Sequence, residues 1–263
     1  MKVLVVMGSP RKGNTWRAAE AIRETMQAGG DVEFEYLMLR DADLAQCTGC
    51  LQCFVKGEEH CPRKDDAPEI EAKLHSADGV IFASPVYGMN VTGLMKTFVD
   101  RLSYIFHRPR FFGKKALLLT TAGAIGQKDV LKYLDLVARI WGFEVVAKVG
   151  LVTQFDELPA RTRELHKWQL AAAAIAFHQA ILSGKESPPP VMDVIVFNAQ
   201  RASFLGLEKE SPADYKYWKE HGWFEPGRRY YSDARVSIFT HLVGRTVGWF
   251  SGRQVRKSKV VKW

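Results

Sequence analysis

Three short runs, residues 3–7, 79–84 and 114–121, have cores that are apolar without interruption: VLVVM, VIFA and ALLL. Successive side chains of a strand point to opposite faces, so a strand can be apolar throughout only where both faces are covered. The stretches between the runs have helical spacing. Residues 16–26 place apolar groups at 18, 19, 22 and 26, one face of a helix. A helix is expected from Pro68 to Leu74, with Asp65 and Asp66 near its positive end. Further helices are expected over 92–105, 128–141 and 158–182. Residues 32–39 alternate as a second strand, and 144–152 read as a fifth. Strands alternating with helices predict an α/β fold, a doubly wound five-stranded parallel sheet of order 2-1-3-4-5. Ser187-Pro188-Pro189-Pro190 is a stiff break. It divides an expected domain at 1–186, carrying a cysteine-rich loop at 47–61, from an extension at 187–263.

In such a sheet, ligands bind at the carboxyl ends of the strands, near the point where strand order reverses. The loop after the first strand is Gly8-Ser9-Pro10-Arg11-Lys12-Gly13-Asn14-Thr15, leading directly into a helix. Backbone N–H groups at a helix start, with hydroxyl and amide donors and two cations, suit an anion. It is neither a G-x-G-x-x-G nor a Walker A loop. An ordinary turn capped by Asn14 or Thr15 would have the same composition. After the third strand come Ser84, Pro85, Val86, Tyr87, Gly88, Met89 and Asn90. Here Tyr87 offers a flat face with a hydroxyl tip, and Thr92 is placed to cap the next helix. After the fourth strand, Thr120-Thr121-Ala122-Gly123 is small enough for backbone to approach a planar ring.

All four cysteines lie within one stretch: Cys47, Cys50, Cys53 and Cys61, followed by Pro62. The spacing C-x2-C-x2-C-x7-C suits an iron–sulfur cube held by four thiolates. Zinc also takes four thiolates, and a motif without an assembled cluster is a further reading. Disulfides fit less well, because bridged Cα atoms must sit roughly 4.4–6.8 Å apart with converging Cβ vectors.

Taken together, GSPRKGNT (8–15), SPVYGMNVTGLMKTFVDR (84–101) and TTAG (120–123) resemble the NADPH-dependent FMN reductase branch of the flavodoxin-like superfamily. CTGCLQC…C, followed by Asp65-Asp66, resembles its iron–sulfur flavoprotein subgroup. The resemblance covers residues 1 to about 155. It implies FMN, with phosphate contacts from Ser9, Arg11, Asn14 and Thr15. It implies ring contacts from Pro85, Val86, Tyr87, Gly88 and Asn90, and further contacts from Ala122 and Gly123. A [4Fe–4S] cluster on Cys47, Cys50, Cys53 and Cys61 and a homodimer or homotetramer are also implied. The expected function is an FMN-dependent oxidoreductase exchanging electrons with the cluster and with a small redox donor, acceptor or redox protein. NAD(P)H is the expected transient co-substrate, although no second nucleotide motif is visible. Arg108 and Arg110 are read either as solvated cations or as attractors for a phosphorylated dinucleotide. Two alternatives stay open: an NAD(P)H-dependent FMN, quinone or nitro-compound reductase without a working cluster, and a non-enzymatic flavin-binding redox module.

The net charge of +8 belongs to one end of the chain: residues 226–263 hold nine Lys or Arg against the single acid Asp233. No signal peptide or span of roughly 20 apolar residues is visible, and clustered thiols suit a reducing compartment. A cytoplasmic protein is therefore expected, and no nucleic-acid module is recognisable. Residues 191–231 are rich in aromatic rings, read as an arm that buries them. Residues 236–250 read as an amphipathic helix. Gly244, Gly248 and Gly252 along its small face permit close helix packing, and the apolar face and basic end suit a peripheral membrane contact.

Overall fold

The computed structural model describes residues 1–153 and 158–257, with the side chains of 251 and 254–257 outside the description. The chain divides into two compact units. The first comprises Met1–Cys47, Asp65–Ser103 and Gly113–Lys185; the second comprises Thr48–Lys64, Tyr104–Phe112 and the chain from Glu186 onward.

The first unit is built on strands β1 (Lys2–Met7), β2 (Glu33–Met38), β3 (Gly79–Pro85), β4 (Lys115–Ala122) and β5 (Glu144–Val152). All pairings are parallel, in the expected order 2-1-3-4-5. The three apolar runs are the three central strands. Val5 lies opposite Tyr36 on one side and Ile81 on the other, and Ile81 opposite Leu117. One face packs Val5, Ile81 and Leu117 against Ala19 and Ile22 of α1 (Asn14–Ala28) and Ala174 and Phe177 of α6 (Ala160–Ser183). On the other side, Phe82 meets Trp141 at the end of α5 (Gln127–Trp141) edge-on at 6.3 Å. Trp141 also meets Phe98 of α4 (Gly93–Arg101) at 5.5 Å. The helix α3 (Ala67–Ser76) buries Ile70 and Leu74. The helix expected over 92–105 ends at Arg101, because Leu102 leaves helical geometry (φ −100°, ψ 24°), and a separate 3-10 turn follows at Ser103–Phe106.

The second unit contains the single turn α2 (Gln52–Val55), α7 (Val191–Phe204), α8 (Pro212–Glu220) and α9 (Ile238–Lys257). The aromatic rings of 191–231 build a core of their own. Phe197 stacks on Trp218 at 5.8 Å, and Trp223 meets Trp218 edge-on at 5.0 Å. Their polar tips are satisfied: Trp218 Nε1 donates to His107 O and Trp223 Nε1 to Tyr231 O. The three glycines of α9 face α7. A Cβ on Gly244 or Gly248 would come within 3.0 Å of Val194 or Asn198, and one on Gly252 would meet Ala202 at 3.1 Å.

Candidate functional site

The loops after β1, β3 and β4 are locked to one another at the carboxyl ends of their strands. Gly8 N donates to Ala83 O (2.7 Å), and Thr92 Oγ1 donates back to Gly8 O (2.7 Å). Thr92 also caps α4 by accepting from Met95 N. Val86 N donates to Thr121 O (2.8 Å), and the Thr15 and Thr121 hydroxyls share a hydrogen bond of 2.7 Å. Four separate links thus bring Gly8–Thr15, Ala83–Thr92 and Thr120–Gly123 together.

Within this cluster the candidate residues differ in setting. Ser9 and Thr15 are buried, with Ser9 Oγ turned onto the carbonyl of Arg11. Arg11 and Asn14 are exposed, and Asn14 Oδ1 accepts from Arg17. Helix α1 opens at Gly13 with no side-chain cap and no acid in its first turn. Its positive end is therefore free of any built-in anion. Pro85 and Val86 are half-buried, whereas Tyr87, Gly88 and Asn90 are exposed. Tyr87 and Asn90 exchange both backbone hydrogen bonds around Gly88 (φ 53°) and Met89 (φ 66°), the pattern of a type I′ turn. Positive φ at Met89 is costly for a long side chain. It is held there by the two flanking hydrogen bonds, which present Tyr87 and Met89 outward. Ala122 is buried and Gly123 exposed. An uncapped helix start beside a small-residue loop and an outward aromatic ring is a donor set that fits a phosphorylated planar cofactor.

The cysteine loop is closed at its base by two aspartates. Asp65 accepts from Ala45 N (3.0 Å) and Ala67 N (3.3 Å) and forms a two-pronged ion pair with Arg101 (2.7 and 2.8 Å). Asp66 Oδ2 accepts from Asp43 N (2.8 Å). Burial pushes the Asp65 carboxyl up, but Arg101 and the two backbone N–H groups outweigh it and hold the group below its ordinary range. The middle of the loop lies in the second unit and is gripped there. Arg108 donates to Cys53 O (2.8 Å), Ser211 donates to Phe54 O (3.2 Å), and the Phe54 ring stacks on His107 at 4.2 Å. Asp214, fully buried, gathers Ser211 Oγ (2.6 Å), His107 Nδ1 (2.7 Å) and Arg108 (3.3 Å). Glu58 pairs with both Arg108 and Arg110 at 2.9 Å. Burial pushes its carboxyl up, yet Arg108, its own backbone N–H and Arg110 hold it below the usual range. Arg108 and Arg110 are thus inward-facing structural cations rather than solvated ones or a dinucleotide lure.

Cys47 and Cys50 are exposed, and Cys53 and Cys61 half-buried. Four thiols are the donor chemistry an iron–sulfur cube takes. Among the described residues, no three His, Cys, Asp or Glu side chains converge as a metal-holding group. Sequence reasoning had not singled out Thr121, Arg101 or Asp214. Thr121 had a readable signal, a hydroxyl at the carboxyl end of a central strand. Asp214 had none, because two of the three residues it gathers, His107 and Arg108, are about a hundred positions away along the chain.

Sheet order defines a flavodoxin-like α/β protein. Residues 1–157 match the family model for NADPH-dependent FMN reductase. The chain belongs to that family of FMN-dependent oxidoreductases. An iron-sulfur flavoprotein from Archaeoglobus fulgidus is 32% identical over 226 residues, covering 84% of this chain and 99% of its own. Another from Clostridioides difficile is 29% identical over 230 residues, with the same two shares. Both matches are too long to be confined to residues 1–157. Among solved structures, the apo form of an NADH:FMN oxidoreductase, EMOB, is 27% identical, with a TM-score of 0.50 over 71% of this chain and 91% of that one.

Proposed function

We propose that this chain is an electron-transfer flavoprotein that binds FMN at the loop cluster and a [4Fe–4S] cluster through Cys47, Cys50, Cys53 and Cys61, with NAD(P)H as reductant. When bound, FMN supplies both two-electron and one-electron exchange, and the iron–sulfur cluster supplies one-electron exchange alone. The observation that carries the flavin half is the interlocked trio of loops around an uncapped helix start. In this reading, N–H groups at the start of α1, with Arg11, Asn14 and Thr15, hold the phosphate, and Ser9 shapes their loop. Pro85, Val86, Tyr87, Gly88, Asn90, Ala122 and Gly123 border the ring. For the other half, the support is a four-thiol loop clipped at its base and gripped at Cys53 and Phe54, together with the names of the relatives.

Anaerobic purification with flavin, iron and sulfide assays tests both halves. The expected yield is about one FMN and about four iron and four sulfide per chain. Cys50→Ala is expected to lose the iron and its broad absorbance while keeping FMN. Absence of FMN would overturn the whole reading. FMN without iron would leave the cluster-free NAD(P)H-dependent reductase, and a flavin that NAD(P)H does not reduce would leave a binding module.

Self-association is part of the same proposal. Helix α6 is apolar on two sides. Opposite its buried face, Leu165, Trp168, Ile175 and Leu182 are exposed. With Ala172 and Gln179 they recur at alternating three- and four-residue steps, the spacing of a helix-pairing seam. An antiparallel second copy would set Leu165 against Leu182 and Ala172 against Ile175. Sedimentation velocity is expected to show a dimer or larger assembly that Trp168→Glu dissociates. An unchanged assembly in that variant would remove α6 as the seam.

A further inference from the structure

Helix α9 has three distinct sides. Its glycine side lies against α7. Its outer side carries Ile238, Phe239, Leu242, Trp249 and Phe250, each more than half exposed. Between the two runs a cavity of about 520 Å³ whose walls include Arg201, Leu205, Pro226, His241, Arg245 and Trp249. The cations in this cavity lack a carboxylate partner in its walls. Arg201 spends its donors on the carbonyls of Phe224, Glu225 and Arg228. Buried His241 Nδ1 has no hydrogen-bond partner. Desolvation, and then the charge of Arg245, lowers the affinity of Arg201 for its proton. Desolvation, and then Arg229, Arg245 and Arg201, do the same to His241. Such crowding of positive charge is relieved when an anion enters.

The apolar ridge beside the cavity narrows the class of anion. Exposed large apolar groups concentrated on one helix face mark a surface that is covered in use. Here the ridge is bordered by Arg245 and by Arg253, whose guanidinium lies 5.5 Å from the Trp249 ring centre. Arg256, Lys257, Lys259 and Lys262 follow in the sequence, with no acid after Asp233. A Trp- and Phe-bearing face beside cations, on a helix weakened in water by three glycines, has the makeup of a helix lying in a bilayer interface. No described helix is long and apolar enough to cross a membrane.

We propose that α9 docks on an anionic membrane surface, its apolar ridge entering the acyl boundary while the Arg201–His241–Arg245 cavity receives a lipid phosphate. The contact requires neither the flavin nor the thiols, so it stands apart from the redox reading.

Full-length protein would be floated with vesicles of phosphatidylcholine alone or with 30% phosphatidylglycerol, a share of roughly the order found in anionic leaflets. Recovery is expected with the anionic vesicles and not with the neutral ones. Arg245→Gln with Arg253→Gln should weaken that binding about 25-fold, since each surface cation near an anionic bilayer supplies ~1 kcal/mol. Phe239→Ser with Trp249→Ser should abolish flotation while leaving the protein folded, because both side chains are exposed. Equal recovery with neutral vesicles, or no flotation at all, would overturn the proposal. So would binding of inorganic phosphate at the cavity without vesicle binding, which would assign the cations to a soluble ligand. A Phe239→Ser/Trp249→Ser variant that floats normally but changes oligomeric state would assign the ridge to a second copy.

Discussion

Asp65→Ala is expected to destabilise the first unit by about 3–5 kcal/mol, the usual cost of stranding one member of a buried ion pair. Both side chains are almost wholly buried, 2% exposed for Asp65 and 5% for Arg101. The substitution would leave the Arg101 guanidinium without its two-pronged acceptor. It would also strand the N–H groups of Ala45 and Ala67, which Asp65 accepts. Urea unfolding measures the loss, and a cost under ~1 kcal/mol, the level of a surface pair, would refute the account. Arg101→Met in the Asp65→Ala background should recover much of the loss by removing the stranded charge. The pH dependence has a definite sign. Because the Asp65 carboxyl is held below its ordinary range when folded, its contribution is present above the unfolded carboxylate value of about 3.9 and is lost as pH falls through its lower folded value. The wild type should therefore lose stability in that acid window more steeply than Asp65→Asn.

Asp214→Ala is the second large effect, about 2–4 kcal/mol: Arg108 keeps Glu58 as a counter-charge, but Ser211 and His107 lose the carboxylate they bond. It would remove the carboxylate that bonds Ser211 and His107 and pairs with Arg108. Its distinguishing consequence is local. Ser211 and Arg108 are the groups that hold the carbonyls of Phe54 and Cys53. Amide exchange across residues 50–58 should therefore quicken about 100-fold, the factor that ~3 kcal/mol represents. Amides of the central strand β3 should exchange as before. Iron uptake should fall in parallel while FMN content stays level. Unchanged exchange in the cysteine loop would show that the Asp214 network stabilises the second unit without positioning the thiols.

These two aspartates mark the limit of what could be read along the chain. The sheet was legible because burial on both faces leaves a direct trace: central strands with no polar alternation at 3–7, 79–84 and 114–121. The loop cluster was legible because strand order dictates where loops meet, so Gly8–Thr15, Ser84–Asn90 and Thr120–Gly123 had to share one end of the sheet. The close face of α9 was legible for a similar reason. Glycines four apart in a helix form a groove, and here α7 fills it. The environment of each group was not legible. The Ser9 and Thr15 hydroxyls, expected to face a phosphate, also bond within the protein, to Arg11 O and Thr121 Oγ1. Arg108 and Arg110, which charge alone left as solvated or dinucleotide-attracting, turn inward onto Glu58 and Asp214.

Periodicity, a local property, thus determined the α/β class and the strand order, while loop composition and cysteine spacing marked the loop cluster and the thiol set on which the proposed function rests. Tertiary structure alone decided which segments make a unit. Residues 48–64 and 104–112 join the helices after Glu186, although nothing in their sequence ties them to that distant segment. It also decided which charges are buried against which. A buried ion pair is chosen by three-dimensional proximity and the cost of desolvation, and neither quantity is a function of separation along the chain.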